Sequence, residues 1–554
     1  MRRDGQGLVS ASVGARAARL RWVCVEHEEL IVRVCSGHAQ RRRPLTGGHV
    51  IGATRQTRGG YDFIAVANRL PVDRVESPAG AVGWRRSPGG LVSALEPVMQ
   101  RADGAWVGWS GSGGEAPDRF DTDDMHLVGV PLSVEEVEDF YEGFSNATLW
   151  PLYHDVIAAP QFHRGWWEAY VEVNDRFAAL AAGLAAPGAS VWVHDYQLQL
   201  VPAMVRRRRP DLRIGFFNHI PFPGYEIYAQ LPWRRQIVDG LLGADLLGFQ
   251  RRADVTNFLR ACRRAAGRQT RGGGVWVPEQ GTGGNDGAAR TGRGFGSGGG
   301  REVRVAAFPI SIDSAGLGEL ARREDVRARA RQIRAELRDP DIVLLGIDRL
   351  DYTKGILHRL QAYEELLDGG RLGPPQAVFV QVASPSRERV EQYEVLREEV
   401  EGIVGRINGN HATLGQPAVH YLHHFYPREE ITALYLAADV MLVTSLRDGM
   451  NLVAKEYVAC RHDESGALVL SEFTGAADEL GSAFLVNPHD IEGMKTAIVQ
   501  ATRVTPRESR RRMRSLRKRV RNYDVNRWAS SFLNVLQTGP TLPAPPYASS
   551  SAGG

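Results

Sequence analysis

From residue 61 onward, short apolar runs alternate with longer amphipathic segments. This alternation is typical of βα units around a parallel sheet, because strands that are buried on both faces read as continuous hydrophobic stretches. In the first half the apolar runs predict strands at residues 63–67, 106–108, 127–130, 191–193, 214–217 and 246–249. The segments between them predict helices at 134–144, 166–184, 198–207, 233–242 and 253–266. We interpret residues 61–309 as one α/β domain.

Residues 270–300 interrupt this pattern. Thirteen of the thirty residues from 271 to 300 are glycine, and no apolar periodicity runs through them. Such a composition predicts a flexible surface insertion, since burial cannot offset the entropy of ordering it. The Gly-x-Gly-x-Gly pattern at 292–296 follows no predicted strand and precedes no helix, so we do not interpret it as a phosphate-binding loop.

The alternation then resumes and predicts a second α/β domain at 310–505. Its strands are expected at 303–308 (closing the first domain), 342–347, 377–382, 418–422, 440–443, 468–470 and 484–486. Its helices are expected at 321–337, 356–367, 389–406, 429–437 and 452–460. A basic helix from about 507 to 536 occupies the segment 506–538. The Pro-, Ala- and Ser-rich residues 539–554 predict a disordered tail.

The first sixty residues differ from the rest in being rich in arginine and lacking a sustained apolar run. A secretory signal is therefore not expected. We interpret residues 1–60 as a disordered arm, or as the product of a start codon placed too far upstream.

Composition narrows the class of protein. With 554 residues, the chain is too long for one hydrophobic core. Its 68 basic and 64 acidic residues nearly cancel, which argues against nucleic acid as a partner. No apolar run approaches the roughly 20 residues that cross a bilayer, so no membrane association is expected. The four cysteines form no CxxC pair, a pattern that favours free thiols in a reducing cytoplasm.

Polar side chains follow five of the predicted strands. They lie at 194–196, 218–223, 348–355, 383–387 and 444–451, and so come from both halves of the chain. Ligands of open α/β sheets bind beyond the carboxyl ends of the strands. The sequence therefore predicts a polar cleft between two domains.

One set of candidates suits a nucleoside diphosphate. Arg349 and Lys354 lie across a strand-to-helix turn and offer a planar fork and a point charge to phosphate oxygens. Residues 449–451 open a predicted helix, whose free N–H groups favour anions. Glu456, roughly 7 Å further along that helix, could meet ribose hydroxyls. A helix-surface carboxylate paired with an arginine is the alternative for Glu456.

A second set suits a small phosphorylated sugar. Arg69 follows the first strand and Arg387 lies in a loop of the other domain, so two guanidinium groups could clamp a phosphate. Tyr141 and Trp150 could bind through a hydroxyl and stack on a pyranose. Plain core packing is the alternative for both. The sequence shows no convincing metal-ligand spacing, no Walker loop and no Ser-His-Asp arrangement, so we expect no metal and no cofactor.

Several segments together resemble the trehalose-6-phosphate synthase family, glycosyltransferase family 20. The resemblance rests on residues 68–71, 88–91, 108–111, 144–151, 194–196, 218–223, 348–355 and 447–457. The segments Asp-Arg-Leu-Asp-Tyr-Thr-Lys-Gly at 348–355 and Asp-Gly-Met-Asn-Leu-Val-Ala-Lys-Glu at 448–456 are long and specific. The likeness runs in order from about 61 to 536 and is broken only by the glycine-rich insertion.

The resemblance implies a GT-B fold, with two facing Rossmann-like domains and the active site between them. It implies glucosyl transfer, with retention of configuration and without a metal, from UDP-, ADP- or GDP-glucose to glucose 6-phosphate. The product would be α,α-trehalose 6-phosphate. The chain shows no Asp-x-Asp-x-Thr phosphatase motif, so a separate phosphatase is expected to act next in trehalose biosynthesis. The donor base, the oligomeric state (a homo-oligomer is one option), allosteric regulation and the roles of the arm and the insertion stay open.

The resemblance also implies roles for individual residues. On the donor side it places Gly89, Gly90, His219, Arg349, Lys354, Asp448, Gly449, Met450, Asn451, Leu452 and Glu456. On the acceptor side it places Arg69, Tyr141, Trp150, Asp195 and Arg387. Arg349, Lys354, His219 and Asp195 are the expected catalytic residues. The final helix of this fold returns to the N-terminal domain, where Trp528 and Phe532 could anchor it.

Three alternatives to this function remain. One is a transferase of the same fold with another acceptor, such as glycerol 3-phosphate or a cyclitol phosphate. Another is a catalytically silent regulatory protein on the same fold. The third is an arginine-driven nucleic-acid binder.

Overall fold

The computed structural model describes residues 60–76, 82–86, 92, 95, 99, 104–114, 119–122, 125–279 and 299–538. The expected tail at 539–554 and all of the expected arm except Gly60 lie outside these residues, as do Gly89 and Gly90. No helix in the described part of the chain is long and apolar enough to cross a membrane.

A ten-stranded sheet forms the N-terminal domain. The strands of this half are β1 (Tyr61–Arg69), β2 (Val72–Glu76), β3 (Val82–Arg86), β4 (Ala105–Trp109), β5 (Phe120–Thr122), β6 (Met125–Gly129), β7 (Ala185–His194), β8 (Arg213–Phe217), β9 (Leu246–Phe249), β10 (Gln269–Arg271), β11 (Gly274–Pro278) and β12 (Gly300–Ala307). The sheet order is β10-β11-β12-β9-β8-β7-β1-β4-β6-β5, and β2 and β3 form a separate antiparallel hairpin. The centre of the sheet, from β12 to β6, is parallel, while β10, β11 and β5 add antiparallel edges.

A six-stranded parallel sheet forms the C-terminal domain. Its strands are β13 (Ile342–Arg349), β14 (Ala377–Ser384), β15 (Val419–Leu422), β16 (Val440–Val443), β17 (Ala467–Ser471) and β18 (Phe484–Val486), in the order β15-β14-β13-β16-β17-β18. Each strand that the apolar runs predicted in this half is present. The central strands β13, β14, β16 and β17 are almost wholly buried, and a strand covered on both faces needs hydrophobic side chains at nearly every position.

Helices cover both sheets. In the N-terminal domain they are α1 (Val134–Glu136), a π-helix (Val137–Leu149), α2 (Trp150–Tyr153), α3 (Arg164–Leu184), α4 (Val201–Arg208), α5 (Tyr225–Tyr228), α6 (Arg234–Leu241) and α7 (Arg252–Ala266). Beyond them come α8 (Ser314–Leu320), α9 (Glu324–Glu336), α10 (Ile356–Asp368), α11 (Glu391–His411), α12 (Arg428–Ala437), α13 (Leu452–Cys460), α14 (Ile491–Thr502), α15 (Pro506–Asn522) and α16 (Val525–Thr538). Short 3-10 turns lie at Tyr196–Leu198, Tyr352–Lys354 and Gly475–Asp478.

The last helix, α16, packs on the N-terminal sheet. The Phe532 ring stacks on Trp192 of β7 at 4.5 Å between ring centres, and Trp528 meets Phe217 edge-on at 5.0 Å. A Cβ at Gly215 or Gly248 would lie 2.7 or 2.8 Å from the Phe532 ring, so β8 and β9 need glycine there for the ring to pack. The α16 helix therefore completes the core of a domain that begins more than 300 residues earlier in the chain.

The glycine-rich insertion is shorter than predicted. Residues 269–278 form the hairpin of β10 and β11, which joins the sheet beside β12. Gly272 and Gly273 take positive φ angles of 55° and 87° in its two-residue turn, a geometry that glycine supports without strain. Val275 is fully buried, so the hairpin offsets its own ordering cost. The glycine count misassigned these residues to a flexible loop; residues 280–298 lie outside the described part of the chain.

Several predicted helices have different bounds. The helix expected at 507–536 is two helices, because the Asp524 side chain accepts a hydrogen bond from Arg527 N–H (2.9 Å) and so starts α16 anew. The helix expected at 321–337 begins later, as α9 at Glu324, and the separate short helix α8 precedes it. The segment expected as a helix at 134–144 continues as the π-helix to Leu149.

Candidate active site

Two adjoining cavities lie between the carboxyl ends of the two sheets. The larger cavity has a volume of about 510 Å³ and the smaller cavity about 320 Å³. Both are lined by His219 from the N-terminal domain and by Arg349, Lys354 and Asp448 from the C-terminal domain. Since the cavities share these four side chains, a group bound in one would touch a group bound in the other.

The structure brings together most of the residues that the sequence singled out. The larger cavity is lined by Arg69, Tyr141, Trp150, Asp195, His219, Arg349, Lys354, Arg387 and Asp448. The smaller cavity adds Met450, Asn451 and Leu452. Gly449 and Glu456 line neither cavity.

The turn after β13 carries Arg349 and Lys354. The Asp351 side chain accepts the Thr353 N–H at 3.0 Å and so fixes the turn, and Gly355 ends it at a φ of 62°. A Cβ at Gly355 would lie 2.2 Å from the Thr444 carbonyl oxygen, so only glycine lets the turn pack against the strand end of β16. Lys354 is held at the cavity by this close approach.

Lys354 is paired with Asp448. Its Nζ lies 2.6 Å from Asp448 Oδ2, and the Asn451 side chain donates to the same oxygen at 3.2 Å. Burial opposes ionisation of Asp448, but the Lys354 charge and these hydrogen bonds hold its pKa below the usual value. The pair therefore presents an ionised carboxylate and an ammonium group together at the boundary of the two cavities.

The start of α13 faces the smaller cavity. The Asn451 side chain accepts the Ala454 N–H at 3.0 Å and caps the helix, and Asn451 itself has a positive φ of 75°. A Cβ at Gly449 would lie 2.2 Å from the His219 carbonyl oxygen, so glycine permits the two domains to meet there. The free N–H groups of a helix start favour an anion in this cavity.

Glu456 lies one turn further along α13. The Tyr435 hydroxyl donates a hydrogen bond to its Oε2 at 2.9 Å. Burial raises the pKa of Glu456, although this hydrogen bond acts in the opposite direction. Its partner is therefore a tyrosine rather than the arginine of the surface alternative, and its contact with a ribose stays a prediction.

Trp150 carries two guanidinium groups over its ring. Arg387 Cζ lies 3.8 Å and Arg349 Cζ 5.4 Å from the ring centre. Asp351 holds both arginines, at 3.0 Å from Arg387 Nη1 and 3.7 Å from Arg349 Nη2. Burial opposes ionisation of Asp351, but the charges of Arg387, Arg349 and Lys354 hold its pKa at about 2. Trp150 is therefore packed in the protein interior and also contacts two guanidinium groups. Core packing alone, the alternative given for this residue, does not account for these contacts.

Arg387 joins the two domains. Its Nη2 donates to the hydroxyl of Tyr196, at the end of β7, at 3.2 Å, and the Tyr196 hydroxyl donates in turn to Asn146 Oδ1 at 2.8 Å. Arg387 also donates to the Tyr393 hydroxyl. The guanidinium group is therefore oriented by partners from both sides of the cleft.

Arg69 lies at the opposite end of the larger cavity. Its guanidinium group lies 5.2 Å from the centre of the Trp109 ring, against which Tyr141 also packs at 5.4 Å. A Cβ at Gly111 would lie 2.1 Å from Arg69 Cζ, so the absence of a side chain leaves room for the guanidinium group. Its Nη2 lies 3.7 Å from Asp73 Oδ1, and with 44% of the side chain exposed the guanidinium group can still reach an anion in the cavity.

Asp195 lines the larger cavity, and the neighbouring His219 lines both cavities. Asp195 accepts the His219 backbone N–H at 3.0 Å, and the His219 ring meets His194 Nδ1 at 3.2 Å through its Nε2. Burial raises the pKa of Asp195 to about 6 and lowers that of His219 to about 3. His219 is therefore neutral near pH 7 and can donate or accept a hydrogen bond with a sugar hydroxyl.

Sequence reasoning missed several lining residues. His154, Gln197 and Asp73 line the larger cavity, and Gln250 and Asp348 line the smaller one. Asp348 does follow a predicted strand, and the Arg359 side chain holds it at 2.5 Å. His154 lies four residues after Trp150, a helical spacing that would have placed both on one face. In the described part of the chain, no three His, Cys, Asp or Glu side chains come together as a metal-ligand set.

Two Rossmann-like domains that face each other across a cationic cleft define the GT-B class of glycosyltransferases. The model of glycosyltransferase family 20 matches residues 61–538, and the chain belongs to that family.

Individual relatives agree with this assignment. A trehalose-6-phosphate synthase of Mycolicibacterium gilvum is 57% identical over 484 residues, which cover 86% of this chain and 93% of the relative. A UDP-forming α,α-trehalose-phosphate synthase of Burkholderia xenovorans, solved in complex with glucose 6-phosphate, is 34% identical with a TM-score of 0.74 and covers 86% of this chain and 100% of that one. A solved E. coli protein bound with UDP-2-fluoro glucose is 32% identical with a TM-score of 0.75, over 86% and 99% of the two chains.

Proposed function

We propose that this protein transfers glucose from a nucleoside-diphosphate glucose to glucose 6-phosphate and releases α,α-trehalose 6-phosphate and the nucleoside diphosphate. The observation that carries the proposal is the pair of adjoining cavities with four shared side chains, in a chain of glycosyltransferase family 20. The complexes of the Burkholderia and E. coli proteins, with glucose 6-phosphate and with a UDP-sugar, support one substrate for each cavity.

On the donor side, the smaller cavity would hold the diphosphate. Arg349, Lys354 and the start of α13 supply positive charge where the leaving group becomes negative. Fixed cations in a site that excludes water stabilise such developing charge strongly. Asp448 with the backbone of Gly449, Met450, Asn451 and Leu452 would orient the glucosyl group, Gly89 and Gly90 would complete the donor site, and Glu456 would bind the ribose.

On the acceptor side, the larger cavity would hold glucose 6-phosphate. Arg69 and Arg387 would bind its phosphate together with the Tyr141 hydroxyl, and Trp150 would pack against the sugar. Asp195, whose carboxylate is already held by the His219 N–H, would accept a sugar hydroxyl. Bidentate arginine contacts suit a phosphate because the fork of N–H groups matches its oxygens.

The proposed chemistry is attack on the face of the sugar from which the diphosphate departs. The bond between the anomeric carbon and the diphosphate oxygen breaks, the acceptor's anomeric oxygen bonds to that carbon, and its proton moves to the departing diphosphate oxygen. Support comes from the contacts of the cavity carboxylates, since Asp448 is ion-paired with Lys354 and backbone N–H groups donate hydrogen bonds to Asp195. Neither is presented as the free nucleophile that retaining glycosidases use.

The proposal includes a cytoplasmic location, no requirement for a metal and hydrolysis of the product by a separate phosphatase. In the described part of the chain both cysteines, Cys262 and Cys460, are buried and free, which suits a reducing compartment.

The test is to incubate the purified protein with glucose 6-phosphate and, separately, UDP-, ADP- and GDP-glucose. We expect equal amounts of nucleoside diphosphate and a disaccharide phosphate whose two anomeric protons both show the small coupling of α linkages. Product with glycerol 3-phosphate or a cyclitol phosphate, but not with glucose 6-phosphate, would assign the alternative acceptor. No nucleotide release with any donor would favour the silent homologue.

A further inference from the structure

His154 lines the larger cavity but has no part in the proposed function so far. It follows α2, four residues after Trp150, and only 2% of its surface is exposed. A buried polar side chain normally uses all its hydrogen-bonding groups inside the protein, because an unpaired one costs free energy.

One nitrogen is satisfied and the other is not. Nδ1 lies 2.8 Å from the Trp150 carbonyl oxygen, which can only accept, so Nδ1 must carry the hydrogen. Burial lowers the pKa of His154 to about 4, and the ring is therefore neutral near pH 7. In that tautomer Nε2 carries a lone pair and forms no hydrogen bond with the residues that the structure describes; it is not among the enclosed atoms that lack a partner, so it is open to the cavity.

The ring is held rigidly in this orientation. It packs on the Trp150 ring at 4.1 Å between centres. The next two residues, Asp155 and Val156, both have left-handed backbone angles, with φ of 56° and 59°. For the β-branched valine this is a strained conformation, of the kind that is kept where function requires it. Arg447 of the C-terminal domain holds the turn through an ion pair with Asp155 at 3.2 Å.

A rigid acceptor that is open to the cavity can accept a hydrogen bond from a ligand. The phosphate oxygens of the substrates are themselves acceptors, so they cannot satisfy Nε2, whereas sugar hydroxyls can. His154 lines the larger cavity and not the smaller one, which favours the acceptor sugar over the donor. Of the acceptor's hydroxyls, the anomeric one is consumed in the reaction, and those at carbons 2, 3 and 4 remain.

We propose that Nε2 of His154 accepts a hydrogen bond from one non-reacting hydroxyl of glucose 6-phosphate and so contributes to the choice of acceptor sugar. This inference rests on the proposed function. A site with a rigidly placed acceptor discriminates against a sugar that lacks the matching hydroxyl, because that hydrogen bond is then lost.

Two variants distinguish the contribution of Nδ1 of His154 from that of Nε2. In His154→Asn the amide N–H can replace Nδ1–H, but nothing reaches the position of Nε2. In His154→Gln the longer side chain returns an amide oxygen to that position. We expect kcat/KM for glucose 6-phosphate to fall about 10- to 100-fold in the first, as for one lost hydrogen bond, and to stay within about fivefold in the second.

The hydroxyl itself is identified with 2-, 3- and 4-deoxyglucose 6-phosphate. In the unaltered protein, the analogue that lacks the matching hydroxyl should lose about 10- to 100-fold in kcat/KM. In His154→Asn the same analogue should react within about twofold of glucose 6-phosphate, because the interaction is already absent. A merely structural role for His154 would leave every analogue's penalty unchanged.

His423→Asn is the matched control. The Nδ1 of His423 also lies close to a carbonyl oxygen, that of Ala383 at 2.9 Å, but His423 lines neither cavity. It should keep full activity and the full penalty for each analogue. Should His154→Asn be unfolded by circular dichroism, His154→Phe takes its place, since the Trp150 carbonyl still accepts the backbone N–H of residue 154 at 3.1 Å.

Equal deoxy penalties in the unaltered protein and the variant would overturn the inference while the proposed function stands. Absence of disaccharide phosphate from the unaltered protein with every nucleotide-glucose would overturn both.

Discussion

The two walls of the cleft are built in different ways. The wall around the smaller cavity comes mainly from two stretches, residues 348–354 and 448–453, which lie at the carboxyl ends of the neighbouring strands β13 and β16. The wall around the larger cavity collects side chains from widely separated stretches, at 67–73, 141–154, 194–197 and 219–220, together with Arg387 from across the cleft. One wall is local in sequence and the other is assembled by the tertiary fold.

The walls also differ in how they hold charge. Near the smaller cavity, positive charge comes from a turn and a helix start, which the backbone fixes before any ligand arrives. In the larger cavity, Arg387 is oriented by Asp351, Tyr393 and Tyr196 through side-chain contacts. We call the wall around the smaller cavity the donor wall and the wall around the larger cavity the acceptor wall. We therefore expect the donor wall to govern turnover and the acceptor wall to govern affinity and selection of the sugar.

The largest effect is expected at Arg349. Replacing Arg349 by Ala should lower kcat by about 10²- to 10³-fold, as for the loss of one group that stabilises developing charge. Stability should change little, because 46% of the side chain is exposed and its nearest carboxylate is 3.7 Å away. Steady-state kinetics at saturating substrates measures this.

The matched control is Arg389→Ala. That side chain is 73% exposed and lies 3.7 Å from Glu142, so kcat should be unchanged. Less than a tenfold loss in Arg349→Ala would contradict the role of the donor wall.

The next effect is expected at Arg69. Its replacement by Ala should raise KM for glucose 6-phosphate about 10- to 100-fold, the cost of one charged hydrogen bond, with kcat and the KM of the nucleotide-sugar nearly unchanged. Initial rates with each substrate varied in turn give both constants. The exposed Arg207 on α4 provides a control substitution. A fall in kcat as large as the rise in KM would contradict the separate roles of the two walls, with affinity set by the acceptor wall and turnover by the donor wall.

Asp195 of the acceptor wall and Asp448 of the donor wall should change the free energy of unfolding in opposite directions as the pH falls. Because the pKa of Asp195 is raised to about 6, the folded protein binds its proton more tightly than the unfolded chain. The free energy of unfolding, relative to Asp195→Asn, should therefore rise as the pH falls from about 6 to about 4. For Asp448, whose pKa is lowered, the stabilisation relative to Asp448→Asn is present above the ordinary pKa and should be lost on further acidification. Urea unfolding between pH 7 and pH 3 measures both, and curves of the same sign would contradict these environments.

The smallest effect is expected from removal of metal ions. If the cations of the donor wall supply the charge, activity after treatment with excess EDTA should stay within about twofold of the untreated protein. Loss of activity that magnesium or manganese restores would instead place part of that charge on a metal.

The same contrast explains what the sequence could predict. The residues of the donor wall could be predicted because Arg349, Lys354 and Asp448 come within seven residues of the ends of the apolar runs 342–347 and 440–443, and strand ends meet at one edge of a sheet. The strands themselves were accessible because burial on both faces leaves a plain hydrophobic signal, as in residues 342–347.

The acceptor wall was only partly accessible. Arg69 and Asp195 follow strands, but His154 follows a short helix and reaches the cavity through the fold of residues 150–156. The lone pair on Nε2 of His154 is available because Nδ1 donates its hydrogen to the Trp150 carbonyl oxygen. A backbone contact of this kind cannot be predicted from the pattern of residue types. The hairpin of β10 and β11 was missed for a different reason. Glycine content indicates the entropy lost when the segment becomes ordered, but it does not show that pairing with the neighbouring strand β12 can offset that loss.

The helix α16 has a consequence for synthesis of the protein on the ribosome. The rings of Trp192 and Phe217, which it covers, are made about 300 residues before it. At a translation rate of about 5–20 residues per second, these two rings stay exposed for roughly 15 to 60 s before α16 has been synthesised. The N-terminal domain, although translated first, is thus the last to be finished, and a nascent chain needs protection of this face until its final helix emerges.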